Sequence, residues 1–295
     1  MNILVTGANG QLGSEIRKRE NEYKSWNFVY VDLPELDITN LAKIKEVVQR
    51  KSITAIINCA AYTAVDKAET VAETAYNVNV TGAENLAKVA AEFKLKLIHI
   101  STDFVFDGHS YLPYIESDTP NPLSVYGKTK LEGEEKVMQV HPSSIILRTA
   151  WLYSTYGTNF VKTMRKLGNE REELKVIFDQ VGTPTWAGDL TASILIILSS
   201  LEEGNEKRGM YHFSNEGVAS WYDFAVEIMA LSKIKCVVLP IETKEYPTSA
   251  PRPSYSVLNK KKIKTDFAIE IPHWKESLRK CILEIEQKEY LQHEK

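Results

Sequence analysis

The chain opens with Met1-Asn2-Ile3-Leu4-Val5-Thr6-Gly7-Ala8-Asn9-Gly10-Gln11-Leu12-Gly13, and this stretch decides the fold. Its apolar run predicts a buried parallel strand, and the apolar spacing that follows predicts a helix. Three glycines in a G-x-x-G-x-x-G pattern occupy the turn, where the backbone must bend tightly and approach a pyrophosphate. A tight turn without a ligand is the alternative, but the strand-to-helix context favours dinucleotide binding at the helix start. The candidate contacts are Gly7, Gly10, Gln11, Leu12 and Gly13.

The composition excludes several classes of protein. The 295 residues carry a formal net charge of -3, which gives no basic excess for nucleic acid. No apolar run is long enough to span a membrane, and the chain begins with a predicted strand rather than a signal peptide. Three cysteines without a pairing pattern favour a reducing cytoplasm, and six histidines without ligand spacing argue against a metal site.

A second strand is predicted over Asn27–Val31, and it is followed by Asp32. An acid about 20 residues beyond such glycines usually accepts hydrogen bonds from the adenosine ribose. Its charge would repel a 2′-phosphate, so charge alone favours NADH or no strong choice between NADH and NADPH. The alternative is an acid that only caps the next turn. Asp37 and Ile38 come next and are candidate adenine contacts.

The next apolar run, residues 53–58, predicts a third strand that ends in small residues. Small residues at the carboxyl end of a parallel strand leave room for a ligand, so Ala61, Tyr62 and Thr63 are candidate cofactor contacts. A helix is predicted over residues 72–93. Within it, Asn79 either orders a water near the cofactor or hydrogen-bonds the backbone inside the helix.

Residues 97–101 form a fourth predicted strand, and strands and helices alternate without interruption. This order predicts an α/β fold with a Rossmann-type, doubly wound parallel sheet. We assign residues 1–150 to a dinucleotide-binding domain. Residues 151–295 mainly form a smaller C-terminal α/β domain for the substrate, and a segment at about 186–215 returns to the first domain.

Three residues carry the predicted chemistry. Tyr126 and Lys130 are four positions apart, so they share one face of a helix. An ammonium near the phenol would move its pKa from about 10 toward the working range, and the same lysine can reach the nicotinamide ribose. Thr102, at a strand end, offers a hydroxyl to polarise a carbonyl. An exposed helix face is the usual meaning of Y-x-x-x-K alone, but the hydroxyl and the glycine motif together favour a catalytic site.

These motifs are similar to those of the extended short-chain dehydrogenase/reductases, which act largely on nucleotide sugars. Further stretches resemble one family within that group, the dTDP-4-dehydrorhamnose reductases, and the resemblance runs from Met1 to Arg279. The matching stretches are residues 58–69, 101–106, 148–153, 159–164 and 179–185.

The resemblance implies NADPH- or NADH-dependent reduction of a 4-keto-6-deoxy sugar nucleotide in the cytoplasm. Tyr126 would donate the proton, and Thr102 would polarise the C4 carbonyl. Lys130 would lower the pKa of Tyr126 and anchor the nicotinamide ribose. Members of the family often form homodimers, some with a bridging divalent cation. The sequence places no ligands for such a cation, and it does not set the preference between NADPH and NADH.

Three residues are candidate contacts for the nucleotide-sugar substrate. Asp103 follows Thr102 in the matching stretch, and Trp151 offers a flat surface for a deoxysugar, although a core tryptophan is nearly as good an interpretation on residue type alone. Arg252 lies between two prolines, where a guanidinium could bind a diphosphate bidentately. The family pattern there is Arg-Arg-Pro, whereas this chain has Pro251-Arg252-Pro253, so one arginine is missing.

Other functions remain open. Related 4,6-dehydratases carry an Asp-Glu pair after the threonine, and Phe104 stands here instead, which disfavours elimination chemistry. Another nucleotide-sugar 4-reductase or a 4-epimerase is the enzymatic alternative. The regulatory subunit of methionine adenosyltransferase also resembles this family, so a non-catalytic binding role is the alternative from a different class. Turnover of the ketosugar with reduced nicotinamide separates these hypotheses.

Overall fold

A computed structural model describes the backbone of residues 1–293 and the side chains of residues 1–291. The described chain alternates strands and helices from its first residues. Its strands are β1 (Asn2–Thr6), β2 (Asn27–Val31), β3 (Ala55–Asn58), β4 (Lys96–Thr102), β5 (Ile145–Thr149), β6 (Leu152–Tyr153), β7 (Glu173–Ile177), β8 (Val181–Gly182), β9 (Thr185–Trp186), β10 (Gly209–Phe213), β11 (Ala219–Ser220) and β12 (Val237–Ile241).

Helices connect these strands. They are α1 (Gln11–Arg19), α2 (Leu41–Arg50), α3 (Val65–Ala68), α4 (Ala72–Tyr76), α5 (Ala83–Phe93), α6 (Val125–Val140), α7 (Phe160–Glu170), α8 (Ala187–Glu202), α9 (Trp221–Leu231), α10 (Lys261–Phe267) and α11 (Trp274–His293). Side-chain caps begin several of them: Asn40 accepts from the backbone N–H of Lys43 at α2, and Ser124 accepts from Gly127 at α6.

The central sheet has six parallel strands in the order β10-β5-β4-β3-β1-β2. Its inner strands are buried on both faces, as their continuous apolar runs predict. Because all six strands run the same way, their carboxyl ends lie along one edge of the sheet. The glycine turn, the loop after β3 and the end of β4 therefore lie side by side, which is where open α/β sheets bind ligands. The Rossmann-type fold is confirmed.

Helices cover both faces of this sheet. Helices α1, α8 and α10 pack on one face through a core that includes Ile16, Ile194 and Ile263. Helices α2, α5 and α6 pack on the other face, where Ile44 and Leu86 join the core. Among the described residues, no helix combines the length and apolar character that a bilayer crossing needs.

The C-terminal part contributes a separate apolar core between α7, α9 and α11, with Phe224 near its centre. Three two-stranded sheets frame it: β12 with β7, β11 with β8, and β6 with β9. The segment expected to return to the first domain contains α8 and β10. Strand β10 pairs with β5 at the edge of the central sheet, with Arg148 opposite His212.

The helix predicted over residues 72–93 is interrupted. Residues Asn77–Gly82 form a wide π-helical turn between α4 and α5. Helix α6 passes so close here that a Cβ added to Gly133 would lie 2.2 Å from the carbonyl oxygen of Asn79. Such turns often mark functional sites, and hydrophobic periodicity does not detect the single widened turn.

Candidate active site

The glycine turn between β1 and α1 has the shape of an anion site. Gly7 has φ +63°, and a Cβ on it would lie 2.6 Å from the backbone nitrogen of Ala60. A Cβ on Gly13 would come equally close to Ala8, whereas Gly10 has more room. No side chain caps the start of α1 and no acidic residue lies in its first turn, so its N–H groups are left for a ligand. This geometry fits a dinucleotide pyrophosphate.

The two non-glycine residues of the motif have other contacts in the structure. Leu12 is buried in the core beneath the sheet. The Gln11 side chain accepts a hydrogen bond from Asn159 at 3.0 Å, which ties the start of α1 to the start of α7. Their backbone N–H groups at the helix start are therefore the atoms available to a cofactor.

Asp32 lies beside the glycine turn. Its carboxylate accepts hydrogen bonds from the backbone N–H groups of Asn9 at 2.9 Å and Leu33 at 2.9 Å. These donors hold the carboxylate at the end of β2, in the place expected for a ribose acceptor. The capping alternative also describes these bonds, so the geometry is compatible with both interpretations.

The candidate adenine contacts are held by a residue that the sequence analysis did not select. Asn85 on α5 donates to the carbonyl oxygens of Ile38 and Thr39 at 3.2 and 2.9 Å. Ile38 is buried against Gly82, and the exposed Asp37 accepts from the backbone and hydroxyl of Thr39. The loop is thus fixed by an internal amide.

The loop after β3 is fixed in the same way. Asn79 accepts from the backbone N–H of Tyr62 at 2.8 Å and donates to the Tyr62 carbonyl at 3.2 Å and to Thr129 at 3.1 Å. The sequence alternative of a backbone bond inside the helix is therefore wrong, because the Asn79 side chain hydrogen-bonds the backbone of this loop instead. Ala61 and Tyr62 are partly exposed and Thr63 is exposed beside them.

Thr102 and Tyr126 meet at the end of β4. The Thr102 hydroxyl donates to Asp103 at 3.1 Å and accepts from the backbone N–H of Phe104 at 3.2 Å. The pKa of Tyr126 is raised to about 12, mainly by burial; the hydrogen bond with Thr102 opposes the rise and the Asp103 charge contributes to it. The phenol is therefore protonated at neutral pH. The Phe104 ring packs edge-on against it, with ring centres 5.5 Å apart.

Lys130 is placed differently from the expectation. Its ammonium nitrogen is buried, donates to the Ile100 carbonyl at 2.8 Å and lies 3.4 Å from Nε2 of His99. Burial lowers the pKa of Lys130 to about 8, against the charge of Glu134. The sequence predicted that Lys130 lowers the pKa of Tyr126. This lowering is absent, because burial of the phenol dominates and Lys130 is not among the groups that shift its pKa.

Asp103 is a second buried acid beside the phenol. Burial raises the pKa of Asp103 to about 6, and hydrogen bonds from Ser256 and Thr102 oppose the rise. Ser256 comes from the loop before α10, so Asp103 joins the end of β4 to the C-terminal part. No local sequence pattern around Ser256 points to this contact, because it depends on how the C-terminal part folds back onto β4.

Trp151 lies between β5 and β6 and has φ +46°, an unusual backbone for a large side chain. Its ring stacks on Trp221 with centres 3.6 Å apart and covers Gly182, where a Cβ would lie 2.7 Å from the ring. Trp151 is partly exposed, so it combines the two interpretations: it packs in the C-terminal part and keeps some surface free.

Arg252 is already paired in the structure. Its guanidinium binds Asp66 bidentately at 2.6 and 3.1 Å and also donates to the Ala250 carbonyl. The pair joins the loop before α10 to α3 beside the candidate cofactor loop. The role of this guanidinium in binding a diphosphate stays a prediction. The sequence does not reveal its pairing, because Asp66 lies 186 positions away along the chain.

Helix α6 is also fixed to the sheet by an ion pair that the sequence analysis missed. Glu134 lies one turn beyond Lys130 and binds Arg148 of β5 at 2.9 and 2.7 Å. Both side chains are buried. Among the described side chains, those of residues 1–291, no group of three or more His, Cys, Asp or Glu has the geometry to hold a metal ion.

Comparison with known proteins gives a consistent result. The family model of the RmlD substrate binding domain matches residues 1–287. The dTDP-4-dehydrorhamnose reductase of Aggregatibacter actinomycetemcomitans is 42% identical, and the alignment covers 94% of this chain and 97% of that protein. A crystal structure of a dTDP-4-dehydrorhamnose reductase from Clostridium acetobutylicum has a TM-score of 0.91 at 45% identity, covering 97% of this chain and 100% of that one. The reductase of Bacillus anthracis in complex with NADP has a TM-score of 0.90 at 40% identity, covering 96% and 99%.

Proposed function

Because the chain belongs to the family of RmlD substrate-binding-domain proteins and dTDP-4-dehydrorhamnose reductases, we propose that it reduces dTDP-4-dehydro-L-rhamnose to dTDP-L-rhamnose with NADPH or NADH. One observation carries the proposal: a threonine hydroxyl and a protonated phenol meet at the end of β4, along the same sheet edge as the glycine turn. A ketone held there can receive a hydride on carbon and a proton on oxygen.

The roles of the three catalytic residues follow from their surroundings. Bound nicotinamide supplies the hydride for C4 of the sugar. Tyr126 gives its phenolic proton to the carbonyl oxygen, and its raised pKa ensures that the proton is present at neutral pH. Thr102 hydrogen-bonds the same oxygen and stabilises the charge that develops there. Lys130 anchors the nicotinamide ribose with an ammonium proton that Ile100 does not take.

The remaining predicted contacts divide between cofactor and substrate. The glycine turn, Asp32 and the loop at Tyr62 would hold the cofactor along the sheet edge. Asp103 and Trp151 would contact the sugar of the nucleotide-sugar substrate, on the side of the C-terminal part. Arg252 acts through the loop that its pair with Asp66 holds in place.

The oligomeric state and the cellular compartment of the protein are proposed by analogy with its family. We propose a homodimer that acts in the cytoplasm and binds no nucleic acid. The net charge of -3 supports the last point. The three cysteines, all in the described chain, are unpaired, which is compatible with a reducing compartment. Light scattering on the purified protein measures the oligomeric state.

The test is turnover of dTDP-4-dehydro-L-rhamnose with NADPH and NADH in parallel, measured by loss of the reduced cofactor and by identification of the sugar product. We expect stoichiometric formation of dTDP-L-rhamnose. Cofactor binding without turnover of any ketosugar would instead support the non-catalytic role. Interconversion of two sugars without net oxidation of the cofactor would support a 4-epimerase.

A further inference from the structure

Four polar side chains form a buried line beneath the proposed catalytic centre. Thr6, Asn58 and His99 lie on adjacent strands β1, β3 and β4 at paired register positions. Thr6 donates to Oδ1 of Asn58 at 2.7 Å, Nδ2 of Asn58 lies 2.8 Å from Nδ1 of His99, and Nε2 of His99 lies 3.4 Å from the nitrogen of Lys130. All four are almost inaccessible to solvent, with 1% exposure each.

The direction of this line is fixed by one backbone group. The N–H of Ala60 lies 3.1 Å from Oδ1 of Asn58, and a backbone N–H can only donate. The oxygen of the Asn58 amide must therefore face Ala60, which places its NH₂ group toward His99. The amide cannot turn over without setting two donors against each other.

This orientation determines which nitrogen of His99 carries the proton. Since Asn58 donates to Nδ1, that nitrogen must be unprotonated. Burial and the Lys130 charge lower the pKa of His99 well below its usual value, so the ring is neutral. Its single proton therefore lies on Nε2 and points at Lys130.

The surroundings of Lys130 make this donor important. On β4 it faces His99 and the accepting carbonyl of Ile100; on its own helix it faces Tyr126 one turn before and Glu134 one turn after. The Glu134 carboxylate is bound bidentately to Arg148 on β5, so much of its charge is already compensated. The His99 N–H dipole then opposes the ammonium form of Lys130 and favours the amine, which can accept from it.

We propose that His99 is a positioning residue that holds an N–H donor against Lys130 and makes the lysine give up its proton more readily. The inference rests on the proposed function, because it assigns the effect to the pH dependence of that reaction. His99 touches neither substrate nor cofactor and acts only through Lys130.

The first test needs no substitution and no turnover. Long-range ¹H–¹⁵N correlation spectra of the ¹⁵N-histidine-labelled protein distinguish the two neutral tautomers from the imidazolium. We expect the His99 signal in the Nε2–H form, unchanged from pH 6 to pH 9. A His99 signal in the Nδ1–H form, or one that titrates in this range, overturns the proposal.

The second test moves the ring proton by changing Asn58. Asn58→Asp replaces the donor with an acceptor, so the ring should carry its proton on Nδ1 and present a free Nε2 that accepts from the ammonium. We expect the basic limb of the kcat profile to shift upward by about one pH unit. Thr6→Ser is the matched control, because it keeps the hydroxyl donor and should leave both the tautomer and the pH profile unchanged.

A neutral variant separates the ring proton from the added charge. Asn58→Leu removes the amide without introducing a carboxylate, so Lys130 can select the tautomer with a free Nε2 and the basic limb should again rise, by less. The proposal requires the basic limb of the kcat–pH profile to shift upward in every variant in which the His99 proton moves from Nε2 to Nδ1. A switched tautomer with an unchanged limb, or a limb that moves only in Asn58→Asp, overturns it.

These outcomes are distinct from failure of the proposed function. If the wild-type protein does not turn over the ketosugar, the function is wrong whatever the His99 spectrum. If it turns over and the limb does not follow the tautomer, only the role of His99 is wrong.

Discussion

Two buried basic side chains lie between helix α6 and the central sheet, and only one of them is paired with a carboxylate. Arg148 is held by a bidentate carboxylate, Glu134, at 2.7 and 2.9 Å. Lys130 lies one turn before Glu134 on α6 and has no carboxylate of the described chain within ion-pair distance. The polar groups near its nitrogen are the Ile100 carbonyl and the His99 imidazole. The pKa of Lys130 is lowered to about 8 by burial.

The difference separates structure from chemistry along one helix face. Tyr126, Lys130 and Glu134 follow each other at intervals of four residues on α6. The last of them fixes the helix to the sheet through a satisfied pair. The first two lie at the ligand edge, where a protonated phenol and a lysine with a lowered pKa can act on a substrate.

The largest expected effect is at the catalytic end of this face. Tyr126→Phe removes the proton donor and should reduce kcat by a factor of about 10² to 10⁴, with little change in the Kd for NADPH. Steady-state turnover and fluorescence titration measure the two quantities. Tyr153→Phe is the control, since this buried phenol lies in the C-terminal core and should keep near-normal turnover. Near-normal turnover in Tyr126→Phe would show that another group donates the proton.

The second effect is at the structural end. Glu134→Gln leaves Arg148 as a buried charge without a counter-ion and should reduce the free energy of unfolding by about 3 kcal/mol. Lys130→Met should cost far less or stabilise, because it removes a desolvated charge that has no carboxylate partner. Urea unfolding at neutral pH compares the two. Equal losses would mean that Lys130 is as firmly paired as Arg148.

The pH dependence of stability sharpens the same contrast. The pKa of Lys130 is about 8 in the folded protein, below its ordinary value of 10.5, so between these values the unfolded chain binds more protons. The stability of the wild type relative to Lys130→Met should therefore rise as the pH increases from about 8 toward 10.5. Urea unfolding of both proteins across this range measures it. A flat difference would contradict the lowered pKa.

The smallest effect concerns the partly exposed pair between Asp66 and Arg252. Asp66→Asn and Arg252→Lys should each change the free energy of unfolding by less than about 1 kcal/mol. If the pair acts by holding its loop, both should raise KM for the sugar nucleotide and leave kcat almost unchanged. A lower KM in Asp66→Asn with a higher KM in Arg252→Lys would indicate that the arginine binds the diphosphate directly.

Local patterns were sufficient for much of the fold. The glycine turn, the apolar strands and the alternation of strands and helices predicted the doubly wound sheet, and the family match confirmed the resemblance. The prediction of one helix over residues 72–93 missed the π-helical turn at Asn77–Gly82. Hydrophobic periodicity could not reveal this turn, because the turn adds a single residue and lies where Gly133 of α6 packs closely against it, a contact between distant segments.

The sequence by itself determined the alternation of strands and helices along the chain and the glycines that a close backbone approach requires. It also determined which residue types could donate a proton or polarise a carbonyl. These properties depend on neighbours in the chain. Only the tertiary structure decided which charged groups pair: Arg252 with Asp66, and Arg148 with Glu134. It also decided that Lys130 lies beside the His99 ring and has no carboxylate partner among the described residues. Those decisions depend on burial and on partners from distant segments, and burial is what sets the charge that each group carries.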